Sequence, residues 1–397
     1  MKKDLGLFDD PYRYCDLQRE SEMIYHEDHL EAALDMAKKS IVLLKNENQF
    51  LPLNEDQEKI VVIGDLADDK DSPLGSWRIG SDDNTSTSFL EGMKNHNIPF
   101  SYAQGAKLVE GQTAFANEVK INNSDKSGFG EAIKMAKNAE VVIMVLGEHG
   151  FQTGEGRSRT RLDFPGVQQE LLEAIYAVNK NIVLVVMSGR PLVLTWADRH
   201  IPAILQTWQL GSQSGNAICE VLFGEYNPSG KLPMTFPRSL GQVPIYYNHY
   251  STGRPGPSNI VFWSHYIDET NKPLYPFGYG LSYTEFEYSN LQIDAANQEK
   301  IKVLVTVKNT GEVAGEEVTQ LYISDKVATV VRPVKELKGF QKFQLLPNQS
   351  KEIEFFLTDK ELGFYNNTGE FIVEAGEFEV MVGTNAQTGL KGKFTKE

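Results

Sequence analysis

Short apolar runs separated by amphipathic stretches dominate the chain between residues 28 and 237. Five runs consist mostly of Ile, Val, Leu, Met and Ala, which is typical of strands buried on both faces: 41–44, 60–63, 141–146, 182–187 and 203–207. Apolar residues at helical spacing predict helices at about 129–138, 166–179 and 212–223, and one that begins near Asp28, its expected cap. Continuous apolar strands that alternate with helices predict an α/β sandwich domain, in which a mainly parallel sheet carries helices on both faces.

The pattern changes to period two from about residue 286. Alternating runs at 302–307, 318–323, 351–357 and 378–382 are separated by turn-forming residues such as those at 309–312. Short strands without a helical pattern over residues 286–397 predict a fibronectin type III-like or immunoglobulin-like β-sandwich.

Two further segments lack this periodicity. Residues 1–27 are polar and aromatic-rich and predict a leader without a core of its own. Residues 238–285 are rich in Pro, Gly, Tyr and Asn, too long for an ordinary connection and too aromatic for a flexible linker. We therefore expect four parts: a leader (1–27), the α/β sandwich (28–237), an ordered connection (238–285) and the β-sandwich (286–397).

Composition narrows the classes of ligand. The net charge of -15 argues against a nucleic-acid or anionic-membrane partner, and no apolar run approaches the ~20 residues that cross a bilayer. Cys15 and Cys219 lie far apart, and neither the cysteines nor the 7 histidines show ligand spacing, so we expect no metal and no cofactor. Uncharged sugars fit, because 10% of the residues are aromatic and offer stacking faces.

One loop carries the strongest candidate for chemistry. Residues 154–159 read Gly-Glu-Gly-Arg-Ser-Arg and follow the apolar run 141–146, which places Glu155 on a loop at the edge of the predicted sheet. Such a carboxyl group suits general acid/base catalysis. Glu148 leaves the same strand end and is the second candidate, although a structural role fits it better. On spacing alone, a solvated loop glutamate beside arginines is the favoured interpretation of Glu155.

Several motifs match one family, and they span nearly the whole chain. They are Lys45-Asn46, Gly75-Ser76-Trp77, the Glu155 loop, residues 188–192, Asn-Pro-Ser-Gly-Lys-Leu-Pro at 227–233, residues 252–255, Tyr-Pro-Phe-Gly-Tyr-Gly-Leu-Ser-Tyr at 275–283 and residues 332–340. The chain resembles glycoside hydrolase family 3, and within it the bacterial periplasmic β-glucosidase group.

The resemblance implies a retaining enzyme of three parts: a (β/α)8 barrel, an α/β sandwich and a fibronectin type III-like domain. In that family the barrel supplies the nucleophilic aspartate. A barrel needs ~250 residues, whereas only the 1–27 segment precedes the α/β region. We therefore expect a C-terminal portion that lacks the nucleophile and is inactive alone, unless a separate barrel chain completes it. A periplasmic or secreted location is implied as well, although the N-terminus lacks the apolar core of a signal peptide.

The resemblance also assigns roles to two residues. Glu155 is implied as the acid/base group, with Arg157 and especially Arg159 turned away from it. Trp77 is implied to face a β-glucoside or related oligosaccharide, where its ring would stack on a sugar. A partly buried packing tryptophan is an equally open interpretation of Trp77, whereas Trp196 and Trp208 are expected in the core. The rival function is a non-catalytic carbohydrate-binding or scaffold protein.

Overall fold

A six-stranded sheet forms the centre of the first half of the computed structural model, which describes residues 1–54, 59–78 and 80–397. Its strands, in chain order, are β1 (Val42–Asn46), β2 (Ile60–Ile63), β3 (Ser101–Ala103), β4 (Val141–Gly147), β5 (Ile182–Met187) and β6 (Ala203–Gln206). They lie in the order β1-β6-β5-β4-β2-β3, and only the β1–β6 pair is antiparallel. The predicted mainly parallel sheet is therefore confirmed.

Helices cover both faces of this sheet, as predicted. They are α2 (Glu27–Ser40), α3 (Phe89–Asn95), α4 (Phe129–Ala136), α5 (Gln168–Val178), α6 (Thr195–His200) and α7 (Ser214–Leu222), whereas α1 (Leu17–Met23) buries none of its residues. Side chains of α2, α3 and α7 pack in one core, and those of α4, α5 and α6 pack in another. Successive strand residues point to opposite faces, so Val142 belongs to one core and Ile143 to the other.

We expected Asp28 to cap α2, but the cap is His26, two residues earlier. Nδ1 of His26 accepts a hydrogen bond from the backbone N–H of Asp28 at 3.2 Å, so the helix begins at Glu27. An imidazole nitrogen can satisfy a free N–H group at a helix start in the same way as an Asp carboxylate. Asp28 instead lies in the first turn, where its charge complements the helix dipole.

Two antiparallel sheets form the second half. The strands are β7 (Phe286–Asp294), β8 (Ile301–Asn309), β9 (Gly315–Asp325), β10 (Glu336–Leu345), β11 (Ser350–Leu357), β12 (Phe364–Tyr365), β13 (Phe371–Ile372), β14 (Gly376–Gly383) and β15 (Gly389–Lys396). Sheets of order β10-β9-β14-β15 and β11-β8-β7 enclose a shared apolar core, and β12 pairs with β13 alone. This architecture confirms the predicted fibronectin type III-like β-sandwich.

The expectation of no helix in residues 286–397 was wrong. A single helical turn, α8 (Asp359–Leu362), follows β11 and buries Leu362. Thr358 and Glu361 form a reciprocal capping box at its start, with the Thr358 N–H donating to Glu361 at 2.9 Å. One turn is too short to leave a helical period in the sequence, so only the capping residues signal it.

The connection at 238–285 contacts both halves. The N–H of Leu281 donates to the Leu43 carbonyl at the edge strand β1, 2.9 Å away. Gln320 of β9 donates to the Gly278 carbonyl at 3.0 Å, and Phe277 stacks on Tyr247 with ring centres 4.3 Å apart. Among the helices of the described residues, none is long and apolar enough to span a membrane.

Candidate active site

The order of the sheet creates a crevice at the carboxyl ends of β2 and β4. After β2 the chain adds β3 on one side, and it then crosses over to add β4, β5 and β6 in turn on the other. Loops that follow two strands at such a reversal diverge and leave space between them. The loop after β2 carries Trp77, and the loop after β4 carries Glu155, so the topology brings the two candidate residues to one crevice.

Glu155 lies at the tip of a tight turn. The N–H of Arg157 donates to the Gly154 carbonyl at 3.2 Å, and Gly156, in the third position of this turn, has φ +71°. Glycine adopts this left-handed conformation without strain, which explains why a glycine follows the glutamate. Within the described part of the chain, no group forms a hydrogen bond or ion pair with the Glu155 carboxylate, which is exposed.

Both nearby arginines are turned away from Glu155, and that expectation is confirmed. Arg157 donates to the Phe151 carbonyl at 2.7 Å and to the Phe115 carbonyl at 2.6 Å. Its guanidinium group also lies over both phenylalanine rings, 5.4 and 5.2 Å from their centres. Arg159 donates to Oε1 of Glu148 at 2.5 Å. These contacts anchor the base of the loop and leave its tip free.

Glu148, the second sequence candidate, is fully buried at the end of β4. Its Oε1 accepts from Arg159, and its Oε2 accepts from Nε of Arg190 at 3.3 Å. Arg190 also donates to the carbonyls of Gln152 and Arg157, so the cluster ties three points of the loop together. A buried carboxylate with both oxygens engaged is placed to hold the loop and has no free oxygen for a bound sugar.

Trp77 is exposed over 67% of its surface, which does not fit the packing interpretation. Together with Glu155, Phe115 and Glu118 it lines a cleft of about 630 Å³. Trp196 and Trp208 are half-buried against the core, as expected. Ile79, which belongs to the motif around Trp77, lies outside the described residues.

Gln209 joins the two loops, and sequence reasoning missed it. Its Nε2 donates to Oγ1 of Thr153 at 2.9 Å, and a Cβ at Gly75 would lie 2.6 Å from its Oε1. The preceding residue, Trp208, has φ +54°, a rare and strained conformation for a bulky side chain. That conformation directs Gln209 between the loops, and a strand-end Gln without a motif gives no sequence signal of it.

Residues 115–119 are the other contributors that the sequence did not reveal. Phe115 and Glu118 line the cleft beside Glu155, and the Phe115 ring meets Phe151 edge-on at 6.1 Å. The segment between β3 and α4 carries no motif, and its contacts with Arg157 and Phe151 place it at the site.

His149 is buried beneath the same loop. Its Nδ1 accepts the N–H of Phe151 at 3.1 Å. Burial lowers the pKa of His149 from its ordinary value, although Asp69 and Asp71 act in the opposite direction. The imidazole is therefore held neutral, as its role as an acceptor requires. Among the described residues there is no group of three or more His, Cys, Asp or Glu side chains that could hold a metal ion.

Comparison with known families agrees with this architecture. Residues 41–283 match the glycosyl hydrolase family 3 C-terminal domain, and residues 317–386 match a fibronectin type III-like domain. The second match begins within β9 and ends three residues after β14.

Similar proteins include glycosidases from several bacteria. A periplasmic beta-glucosidase of Salmonella typhimurium is 40% identical, over 99% of this chain and 54% of its own length. A beta-xylosidase of Formosa agariphila is 37% identical, over 97% of this chain and 52% of its own length. The crystal structure of a beta-glucosidase from Listeria innocua in complex with isofagomine superposes with a TM-score of 0.90 at 33% identity, covering 99% of this chain and 54% of that chain. The chain thus spans about half the length of the relatives it matches.

Proposed function

This chain belongs to glycoside hydrolase family 3, and on that premise we propose that it is the C-terminal portion of a retaining β-glucosidase-like hydrolase. In this proposal the chain supplies Glu155 as the acid/base group and Trp77 as a stacking surface for the substrate. A (β/α)8 barrel, in the same polypeptide or in a separate chain, supplies the nucleophile. The substrates are terminal β-D-glucosides or related glycosides, as the names of the relatives suggest.

The single observation that carries the proposal is the Glu155 carboxylate at the tip of its turn, which pairs with none of the described residues and lines the same cleft as an exposed tryptophan. A retaining glycosidase uses two carboxyl groups about 5 Å apart, of which one attacks the sugar and the other transfers a proton. A proton-transfer group must reach the departing oxygen, so a carboxyl free of other partners is suited to the role. Arg157 and Arg159 would compete for Glu155 if they faced it, and both are engaged elsewhere.

The test is a chain that joins residues 1–397 to the part of the Listeria innocua beta-glucosidase that this chain does not cover, since the two folds superpose over 99% of this chain and 54% of that chain. We expect Glu155→Gln to lower kcat/KM for alkyl β-glucosides, which have poor leaving groups, by 10²-fold or more, on the order expected for loss of general acid catalysis. A dinitrophenyl β-glucoside needs no protonation and should lose far less, and azide should restore part of its turnover.

Glu118→Gln is the matched control, because Glu118 lines the same cleft and is also exposed. It should leave both substrates nearly unchanged. Two outcomes would contradict the assignment of Glu155. One is an equal loss of kcat/KM for both substrates in Glu155→Gln, and the other is a loss in Glu118→Gln that depends on the leaving group.

The chain without a barrel tests the missing nucleophile. We expect no measurable turnover of an aryl β-glucoside by purified residues 1–397. Turnover that Glu155→Gln abolishes would contradict the proposal, and loss in Glu118→Gln would then identify the second carboxylate. Glucose or cellobiose binding at millimolar concentration, together with an inactive chimera, would favour the carbohydrate-binding or scaffold function instead.

A further inference from the structure

A second cleft lies where the connection at 238–285 folds back on itself. Its lining residues belong to two segments, within 242–256 and within 264–271, and Val334 of the β-sandwich also lines it. The volume is about 500 Å³, within the range of small-molecule sites. No lining residue is shared with the cleft beside Glu155.

The walls of this cleft are held by hydrogen bonds to the backbone. The Ser264 N–H donates to the Arg254 carbonyl at 2.9 Å, and Asn271 Nδ2 donates to the Ser264 carbonyl at 2.9 Å. Buried Gln242 donates to the Thr270 carbonyl at 2.8 Å, and the Val334 N–H donates to the His249 carbonyl at 2.9 Å. The walls are thereby ordered although they lie outside the strands and α-helices.

Three tyrosines line the cleft without entering the core. Tyr246 and Tyr250 are each exposed over 62% of their surface, and Tyr266 over 43%. Ordering a segment costs conformational entropy, and rings left in water recover little of that cost. A cluster of exposed rings on an ordered segment therefore contributes little to folding, and this favours a binding role.

The lining is free of formal charge. Among the described residues that line the cleft, none is Asp, Glu, Lys or Arg, in a chain of which 23% is charged. Thr252 and Ser264 present hydroxyl groups, which lie 3.1 Å apart. Nδ1 of His265 lies 2.7 Å from the Trp263 carbonyl, and Nδ1 of His249 lies 3.0 Å from the Tyr250 carbonyl. A carbonyl oxygen only accepts, so each Nδ1 carries a hydrogen and donates it.

We propose that this cleft binds a neutral oligosaccharide. The C–H faces of sugar rings pack on aromatic surface, and their hydroxyl groups pair with uncharged donors and acceptors. An acidic sugar would meet no cation among the described lining residues to offset its lost hydration, because the neighbouring Arg254 lies over the Trp263 ring, 5.8 Å from its centre. A proline-rich peptide also packs on aromatic rings, but its side chains offer no hydroxyl groups to pair with the polar groups of the lining. The inference requires no catalysis by Glu155, so it stands apart from the proposed function.

The experiment titrates purified residues 1–397 with cellopentaose and xylopentaose by isothermal calorimetry. We expect saturable binding of at least one, which Tyr250→Ala weakens about tenfold, equivalent to about 1.4 kcal/mol. Tyr365→Ala is the matched control, because Tyr365 is an exposed tyrosine on β12 that does not line the cleft. It should leave the affinity unchanged. Both tyrosines are exposed, so circular dichroism should show intact folds.

Further titrations, with other variants and other ligands, distinguish this cleft from the one beside Glu155 and a sugar from a peptide. Trp77→Ala and Glu155→Gln should not alter the affinity, and a charged oligogalacturonate of equal length should bind at least tenfold more weakly. Absence of binding by both pentaoses at millimolar concentration would overturn the proposal. So would loss of binding in Trp77→Ala but not in Tyr250→Ala, which would place the ligand beside Glu155. Binding of a decaproline peptide at Tyr250, with no binding of the sugars, would reassign the cleft to peptide.

Discussion

Individual residues around Glu155 are chosen for backbone geometry as much as for chemistry. Gly154 has φ +128°, and a Cβ added there would overlap Oγ of Ser76 on the neighbouring loop. Glycine is therefore required on the near side of the glutamate for close contact and at Gly156 for the turn. The two glycines that drew attention to Glu155 in the sequence thus have physical causes that do not depend on catalysis.

Burial of His149 predicts a dependence of stability on pH. The pKa of His149 is lowered in the folded chain by burial, whereas the unfolded chain keeps the ordinary value of 6.5. The unfolded chain therefore binds a proton at higher pH, and the free energy of unfolding falls as the pH drops below about 6.5. Protonation would also remove the acceptor for the Phe151 N–H.

His149→Asn should reduce that dependence, because Oδ1 of asparagine can accept the same N–H and does not titrate. The measurement is urea unfolding of both proteins at pH 7.5 and pH 5.5. We expect a smaller loss of unfolding free energy in the variant. The same loss in both would mean that other groups cause the decrease.

Among the strands and loops, the loop after β4 shows how a buried charge cluster holds an exposed tip. Glu148 is completely enclosed, and Arg159 and Arg190 remain partly accessible at its two oxygens. Breaking a buried ion pair costs about 3–5 kcal/mol, and because Glu148 keeps Arg159 when Arg190 is removed, we expect a loss near the lower end of that range. Breaking an exposed ion pair costs about 0–1 kcal/mol, since water replaces the lost partner.

Arg190→Ala and Arg161→Ala therefore form a matched comparison within one region. Arg161 pairs with Asp163 at 3.0 Å, but its side chain is 80% exposed. We expect Arg190→Ala to lower the unfolding free energy by about 3 kcal/mol or more, and Arg161→Ala by less than about 1 kcal/mol. Urea denaturation measures both, and equal effects would contradict a structural role for the Glu148 cluster.

Long apolar strands were predictable, and short elements were not. The runs at 60–63 and 182–187 agree residue for residue with β2 and β5, because a strand buried on both faces needs continuous apolar sequence. The three-residue β3 and the seven-residue α3 were not predicted. Such elements are too short to show a period, and contacts with the rest of the sheet and with α7 stabilise them.

Across the chain as a whole, polar contacts join the α/β sandwich to the β-sandwich. Oε2 of Glu316 accepts from the Tyr226 hydroxyl at 2.6 Å and lies 3.1 Å from Lys342. Lys231 donates to buried Glu317 at 3.0 Å. Tyr226 and Lys231 belong to the segment that includes the Asn-Pro-Ser-Gly-Lys-Leu-Pro motif, so this highly specific motif serves the junction and lies outside the cleft beside Glu155.

Lys231→Ala should weaken the coupling between the two halves. Among the described residues, the buried Glu317 carboxylate would then keep the Tyr288 hydroxyl, 2.8 Å away, as its one side-chain partner. We expect a loss on the order of 3 kcal/mol and a calorimetric transition that broadens or splits, since the junction no longer transmits stability. Lys393→Ala, which removes an exposed pair with Glu377, should leave the transition unchanged. A single sharp transition in Lys231→Ala would contradict this account.

The linear order of residues was enough to predict two layered architectures and a glutamate on a loop, because burial imposes a period on the chain and tight turns require glycine. The arrangement of the site came from folding. The crevice exists because β3 and β4 lie on opposite sides of β2. The Glu155 carboxylate has no arginine partner because Arg157 donates to a backbone carbonyl and Arg159 donates to Glu148. Gln209 contacts Thr153, and Phe115 contacts Arg157, across large separations in sequence. The cleft lined by Tyr246, Tyr250 and Tyr266 likewise includes Val334 of the β-sandwich. No local pattern encodes such contacts, since each depends on where the sheet and the connection place the backbone.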